Sequence, residues 1–462
     1  MTARNSKVVP IVKARTESST DTARNANDAN RSKGSADERI TVSAQIEANV
    51  EAAPTPTPTD DSSREMMFKA FIAPGKLRLA ALPPLALYVH FPWCVRKCPY
   101  CDFNSHEWNR DAGGFPETAY LDALRADLER ALPLIWGRRI YTIFIGGGTP
   151  SLLSAEGLDR MLSDIRMLLP LDPTAEITLE ANPGTFEAEK FARFRDSGVN
   201  RLSIGIQSFN DDHLKVLGRI HGAAEARAAV EIAAATFDNF NLDVMFALPG
   251  QTLAQCQQDI DTALSFAPPH LSLYHLTLEP NTLFHKFPPA SLPDEDASAD
   301  MQDWIDARMA GAGYEHYEVS AFARPGHRSQ HNNNYWEFGD YLGIGAGAHS
   351  KLSFPERITR EIRYKHPTTY IDQSKAGDAV QERTEISRHD LPFEFMLNAL
   401  RLQEGFPVHS FIERTGLTMT AIEPQLREAE QRGLIVRDHQ RIAPTLMGRR
   451  FLNDLQAIFL KD

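Results

Sequence analysis

Six apolar, β-branched runs recur along the first two thirds of the chain. They are LALYVHF from Leu85, YTIFIG ending at Gly146, EITLEA ending at Ala181, RLSIGIQ ending at Gln207, NLDVMFALPG ending at Gly250 and HLSLYHLTL ending at Leu278. Runs of this length and composition read as buried strands. Between them, segments such as AYLDALRADLERAL and AEGLDRMLSDIRML place apolar residues at helical spacing. Strands alternating with helices imply a parallel sheet covered by helices, because parallel neighbours need a crossover and a helix supplies it. About six such units fall short of the eight that close a full barrel. The predicted fold is therefore α/β: a partial (βα)6 TIM-like barrel with extension over residues 81–365, with an open flank suited to a bulky ligand.

The remainder divides by composition. Residues 1–80 are rich in Ala, Ser, Thr, Asn and charge and include the run PTPTPTDD. Such a stretch buries too little apolar surface to offset its ordering entropy, so it reads as a disordered N-terminal extension. Past Leu278 come a helix near DWIDARMAGAG, a strand in YEHYEVSAF and the run HNNNYWEFGDYLGIGAGAHS. Residues 366–462 read as a C-terminal domain. There HDLPFEFMLNALRL and AIEPQLREAEQRGLIV are helix-like and LIVRDHQRIAPT suits a small hairpin, an order that suggests a helical, winged-helix-like unit.

The chain has 462 residues, 42% of them apolar, and a formal net charge of −12. That balance lowers the prospect of binding nucleic acid or an anionic membrane surface, and no basic stripe offsets it. A reading of the C-terminal unit as a nucleic-acid reader beside a radical enzyme that modifies RNA is disfavoured on the same ground. No apolar run is long enough to span a bilayer, and the N-terminus lacks the apolar core of a secretory signal. Arg4, Lys7, Lys13 and Arg15 faintly suggest an organellar transit peptide, against which stand Pro10 and the acids that follow. The expected location is cytoplasmic.

Three of the four cysteines, Cys94, Cys98 and Cys101, fall in HFPWCVRKCPYCDFNSH with C-x3-C-x2-C spacing. An iron–sulfur cubane takes one thiolate per iron, so three clustered cysteines leave the fourth iron open for chemistry. The natural occupant is the amino and carboxylate end of S-adenosylmethionine, and the spacing is that of the radical-SAM signature. A structural zinc site completed by His90 or His106 is the alternative, although the paired knuckles usual for zinc are absent. A disulfide is weaker still in a chain with an odd cluster of thiols. Pro99 and Tyr100 favour a compact loop that excludes water.

Reactive residues of barrel-type proteins gather at the C-terminal ends of strands. By that rule the cysteine loop, Gly146–Pro150, Glu180, Gln207 with Ser208, and Leu248–Gln251 converge on one rim. Gly147, Gly148 and Thr149 allow backbone to approach the methionine end of a ligand, or form an ordinary turn. Glu180 suits a ligand ammonium or ribose hydroxyls, or caps a helix in EANPG. Arg219 either reaches a carboxylate or is a solvated surface charge. Asp243 lies inside an apolar strand and needs a partner, a ligand hydroxyl or a nearby cation. Cys256 reads as a small core residue.

Taken together, YVHFPWCVRKCPYCDFNSH, FIGGGTPSLL, ITLEANPGT, RLSIGIQSF, LGRIHG, DVMFALPGQT, HNNNYW and GIGAGAHS resemble the HemW-type heme chaperones, radical-SAM relatives of oxygen-independent coproporphyrinogen III dehydrogenase. The resemblance covers nearly everything from Pro83 to the C-terminus, leaving only the N-terminal extension outside it. It implies a [4Fe-4S] cluster on Cys94, Cys98 and Cys101, with S-adenosylmethionine contacts at Tyr88, Gly147, Gly148, Thr149, Glu180, Gln207, Arg219 and Asp243. It implies heme as cargo, heme-accepting proteins as partners, respiratory and peripherally contacted membrane-bound ones included, and an electron donor such as a flavodoxin or ferredoxin. The dehydrogenases carry a fourth cysteine two places after the third; here Phe103 follows Asp102. That departure speaks against the alternative, decarboxylation of coproporphyrinogen III by a deoxyadenosyl radical. The resemblance points to His331 of HNNNYW as the heme ligand, since neutral imidazole is a standard axial ligand, with Tyr335 and Trp336 as an aromatic wall. The competing reading is a loop whose His and Asn side chains bond local backbone. His349 has the same two readings, with the structural one favoured.

Overall fold

The structure, a computed structural model, describes residues 77–108, 114–185 and 188–460. The expected N-terminal extension lies outside these residues except for its last four, of which Leu77 and Leu79 are buried.

Six parallel strands run in chain order through the centre of a twelve-stranded sheet: β1 (Leu85–Phe91), β2 (Ile140–Gly147), β3 (Leu171–Ala181), β4 (Arg201–Gln207), β5 (Phe240–Phe246) and β6 (His270–His275). The sheet continues past β6 with the antiparallel pair β7 (Glu315–Glu318) and β8 (Ala321–Ala323). Beyond β1 it continues with parallel β9 (Asp340–Ile344) and then antiparallel β10 (His349–Phe354), β11 (Arg357–Arg363) and β12 (Val380–Glu385). The spatial order is β12-β11-β10-β9-β1-β2-β3-β4-β5-β6-β8-β7, so the partial barrel expected from the sequence is present and open. Two strands stop earlier than expected. β5 ends at Phe246 rather than running to Gly250, because Ala247 takes a φ of 55° and Pro249 has no N–H to give a ladder. β6 ends at His275 rather than Leu278.

The pleat sorts side chains between two faces. On one, Ile143, Ile145, Ile177, Leu179, Leu202, Ile204, Leu242, Val244, Leu271 and Leu273 join Leu158, Leu162, Phe191 and Ile260 of the covering helices in the main core. The other set is polar, and register aligns it: Thr142 with Glu176, Thr178 with Arg201, Ser203 with Asn241, Asp243 with Ser272. A polar inner face is unusual for parallel strands, which are normally apolar on both sides. Helix starts follow local chemistry. Ser154 caps Ala155–Leu168, and Thr252 forms a capping box with Gln255 at Leu253–Ser265.

A second core gathers Leu391, Phe395, Met396, Phe411, Leu426, Ile435, Ile442 and Leu455 with Leu77, Leu79 and Phe338. Its helices Leu391–Ala399, Val408–Thr415 and Glu423–Gln431 precede a hairpin of Ile435–Arg437 and Arg441–Pro444, to which Phe406–Pro407 adds a third strand. The sequence reading opened this unit at residue 366, whereas helix Pro367–Ala376 and β12 pack with the barrel: Tyr370 and Ile371 lie in the main core, and β12 pairs with β11. HNNNYW is no loop. It forms helix Gln330–Trp336, capped by the Ser329 hydroxyl. No helix among the described residues is long and apolar enough to cross a membrane.

Candidate functional site

The loop bearing the three clustered cysteines leaves β1 and is held at several points. Trp93–Cys94 pairs with His106–Glu107, closing the loop on itself. Tyr100 packs beside Leu217, Met245, Leu276 and Phe284, and the Pro99 carbonyl accepts the Phe284 N–H at 3.0 Å. Asn104 donates to the Ala346 and Lys365 carbonyls at 3.0 and 2.8 Å, while its own carbonyl accepts from His90 Nε2 at 2.9 Å. Because Nε2 donates, Nδ1 of His90 is the acceptor for the Tyr88 hydroxyl at 3.0 Å. Burial drives the His90 pKa down to about 4, so the ring is neutral and both nitrogens are engaged. His90 is thus a brace for the loop rather than a metal ligand in this arrangement.

Each sulfur of the trio has a polar neighbour. Thr149 Oγ1 lies 3.4 Å from Cys94 Sγ, an Arg219 Nη 3.5 Å from Cys98 Sγ, and Ser105 Oγ 3.8 Å from Cys101 Sγ. Burial pushes the Cys94 thiol up to about 11 and raises that of Cys101. Among the described residues no three His, Cys, Asp or Glu side chains converge on one metal-ion position. Three thiols carried on one loop beside one cavity supply the soft donors that an iron–sulfur cluster takes, one per iron.

All three cysteines border a cleft of about 470 Å³ that runs along the polar inner face. Seven residues singled out from the sequence share its wall: Gly147, Gly148, Thr149, Glu180, Gln207, Arg219 and Asp243. Gly147 has a φ of 113°, and a Cβ there would lie 2.5 Å from His90 Cε1; at Gly148 it would lie 2.5 Å from the Trp93 carbonyl oxygen. Both positions require glycine. Gln207 also adopts left-handed backbone, with φ 67°, at a cost of about 1–3 kcal/mol.

The structure gives the surroundings of the residues whose alternatives the sequence left open. Glu180 Oε2 accepts the Gly147 N–H at 2.9 Å. Arg219 is no solvated charge: it donates to the Gly205 carbonyl at 2.7 Å, and its buried Nε has no hydrogen-bond partner among the described residues. Asp243 finds its partners in the sheet itself, Ser203 Oγ at 3.0 Å and Asn241 Nδ2 at 2.8 Å, while burial raises its pKa. Cys256 is fully buried in the main core.

Five expected residues, Tyr88, His331, Tyr335, Trp336 and His349, are not on the wall, so the aromatic wall expected from Tyr335 and Trp336 is not part of this cleft. Tyr88 stacks on Phe144, which lines the cleft, and its hydroxyl bonds His90, the residue that braces the loop. His331 is 1% exposed and also stacks against Phe144, with ring centroids 5.1 Å apart. His349 opens β10 as an exposed residue. Conversely, Arg201, Asn241, Ser272, Tyr274, Asn332 and Arg401 line the cleft without having been singled out. The available signal was polar residues at every second position, as in Arg201-x-Ser203, Asn241-x-Asp243 and Ser272-x-Tyr274.

Comparison with known proteins agrees with this geometry. Residues 88–263 match the Radical SAM superfamily and residues 386–451 the HemN C-terminal domain. The chain is 47% identical to the heme chaperone HemW of Escherichia coli K12 over 386 residues, 83% of this chain and 100% of that protein. It is 34% identical to the heme chaperone HemW of Bacillus subtilis over 382 residues, 81% of this chain and 99% of that one. Among solved structures, coproporphyrinogen III oxidase (HemN) from Escherichia coli shares the fold, with a TM-score of 0.70 at 24% identity, covering 85% of this chain and 93% of its own. With near-complete coverage of relatives this similar, and a thiol-lined cleft where the superfamily match falls, the chain belongs to the HemW family of the radical SAM superfamily.

Proposed function

We propose that this chain is a heme chaperone, which binds heme in its cleft and passes it to acceptor proteins while carrying a [4Fe-4S] cluster on Cys94, Cys98 and Cys101 with exchangeable S-adenosylmethionine. The carrying observation is a three-thiol loop on a large cleft with Phe103, 44% exposed, on the cleft wall two places after the third cysteine. Membership of a family whose named relatives are heme chaperones supports the same reading.

The residues present fit the implied groups. When bound, the cluster supplies one electron at a time to a sulfonium held beside it. The chain's part is to bind and orient. Gly147 and Gly148 let the backbone approach the ligand, and Thr149 lies against Cys94 Sγ. Glu180, oriented by the Gly147 N–H, faces a ligand ammonium, and Arg219, beside Cys98, faces a carboxylate. Gln207 and Asp243 serve ligand hydroxyls. Tyr88 acts at one remove, by fixing His90 and so the loop.

For heme iron the proposed ligand is His331. Its Nδ1 is held by Thr142 Oγ1 at 2.8 Å and its Nε2 has no partner among the described residues. Burial, aided by the charge of Arg201, lowers its pKa to about 3, which keeps the imidazole in the neutral, iron-binding form. The ring stands behind Phe144, so ligation requires that side chain to move aside. Partners on this reading are heme-accepting proteins and a flavodoxin- or ferredoxin-like electron donor, met in the cytoplasm. Decarboxylation of coproporphyrinogen III draws no support from a site with Phe103 at that position.

Titrating anaerobically reconstituted protein with hemin tests the reading. A shifted Soret band saturating near one heme per chain, and lost in His331→Ala, is expected; absence of stoichiometric binding removes the carrier role.

A further inference from the structure

Deep in the cleft lies a cation that the cluster and S-adenosylmethionine leave unused. Arg201 opens β4 on the polar inner face, is only 2% exposed, and still contributes to the cleft wall. Its Nε has no hydrogen-bond partner among the described residues, and its ion pair to Glu176 is stretched to 4.0 Å. Glu176 is occupied elsewhere, accepting the N–H groups of Gln330 and His331 at 3.2 and 3.1 Å. A buried guanidinium with donors unmet is costly, and such groups are ordinarily paired and fully hydrogen-bonded.

The surroundings repeat the pattern. Arg401 reaches the same cleft from the C-terminal unit, 4.2 Å over the Trp336 ring and 3.0 Å from Glu318, and its Nε is also without a partner. Asn332 lies on the wall with them, and the neighbouring Trp336 Nε1 is unpartnered as well. Besides Arg219, which lies beside Cys98, the guanidinium groups of Arg201 and Arg401 each leave an Nε–H without an acceptor on this one cleft, among the described residues. Arginine's planar fork matches a carboxylate bidentately.

We propose that Arg201, with Arg401 and Asn332 beside it, anchors a carboxylate of the cargo, which on the heme-chaperone reading above is a heme propionate. The anchor and the proposed iron ligand are then joined through one residue, since Glu176 faces Arg201 and holds the His331 backbone. Arg201 is a positioning and binding group, separate from the residues assigned to the cluster and S-adenosylmethionine.

The test compares hemin with hemin dimethyl ester, which lacks free carboxylates, on wild-type protein, Arg201→Gln and Arg201→Lys, reading Soret titrations. Esterification is expected to weaken wild-type binding at least about tenfold. Arg201→Gln should weaken hemin binding by a similar factor and leave ester binding unchanged, with Arg201→Lys between the two. Equal wild-type affinity for hemin and ester overturns the carboxylate anchor while leaving the heme reading intact. So does an equal loss for both ligands in Arg201→Gln, which would mark a structural role. If wild-type binds neither ligand, the heme reading itself fails and the propionate assignment with it. The wild-type comparison needs no substitution, so it decides the matter even if Arg201→Gln does not fold.

Discussion

The backbone N–H of Gly147 donates to Glu180 Oε2 at 2.9 Å, tying the end of β2 to the end of β3 at the rim of the cleft. Substituting either residue separates geometry from charge. Gly147→Ala must place a Cβ at φ 113° against His90, so a loss of about 1–3 kcal/mol in stability and of S-adenosylmethionine binding is expected. Glu180→Gln keeps an acceptor for the N–H but removes the negative charge. It should fold as wild-type yet bind S-adenosylmethionine about tenfold more weakly. Equilibrium dialysis on reconstituted protein, with thermal melts alongside, checks both.

The cysteines divide cleanly. Cys94→Ala, Cys98→Ala and Cys101→Ala should each lower reconstituted iron well below the roughly four per chain of a full cubane. Cys256→Ala should leave iron content unchanged and cost about 1 kcal/mol through the small void left in the core. Iron analysis and visible absorption of the four variants are sufficient.

Buried neutral histidines make stability fall in acid. Burial lowers His90 and His221 from 6.5 to about 4. Between those values the unfolded chain binds more protons than the folded one, so stability drops as pH falls through that window and is fully present above it. The slope is up to about 1.4 kcal/mol per pH unit for each histidine. Urea midpoints should therefore be lower at pH 5 than at pH 7.5, and His221→Asn should flatten the dependence.

Asp340, on β9, is fully buried between Lys351 Nζ at 2.9 Å and an Arg138 Nη at 2.8 Å, and it also accepts from the N–H and hydroxyl of Ser353. Burial pushes its carboxyl pKa up, but the two cations outweigh that and hold it below the usual range. Asp340→Asn leaves two cations facing each other without a counter-charge, and a loss of about 3–5 kcal/mol is expected in chemical denaturation. The same pair contributes stability above the unfolded carboxyl pKa, which is lost as pH falls through the lower folded value.

The central strands were legible because β1 to β6 each carry an apolar face at period two, and cysteine spacing marked where the first one ends. The far edge was not. β11 and β12, RITREIR and VQERTE, carry too few apolar residues to announce strands: β12 is an exposed edge, while β11, paired on both sides, buries its charges as ion pairs, Arg363 with Asp127 and Glu361. HNNNYW reads as a loop from its asparagines, whose side chains compete with helical backbone. Two contacts from outside the segment's own propensity override that: the Ser329 hydroxyl takes the Asn332 N–H, and Glu176, distant in sequence, takes those of Gln330 and His331. Likewise the motif residues gave no hint that Tyr88 and His331 stand behind Phe144 while Arg201 and Arg401 reach the cleft. Which polar side chain faces a cavity depends on register between strands, and only the folded sheet fixes register.

The most direct measurement concerns the open iron. Protein reconstituted anaerobically with iron and sulfide, then reduced, should show the electron paramagnetic resonance signal of a [4Fe-4S] cluster. The account predicts that added S-adenosylmethionine changes that signal, and that Arg219→Ala weakens the response while the iron content holds. A cluster signal indifferent to S-adenosylmethionine, or zinc bound tetrahedrally by Cys94, Cys98 and Cys101, would contradict it.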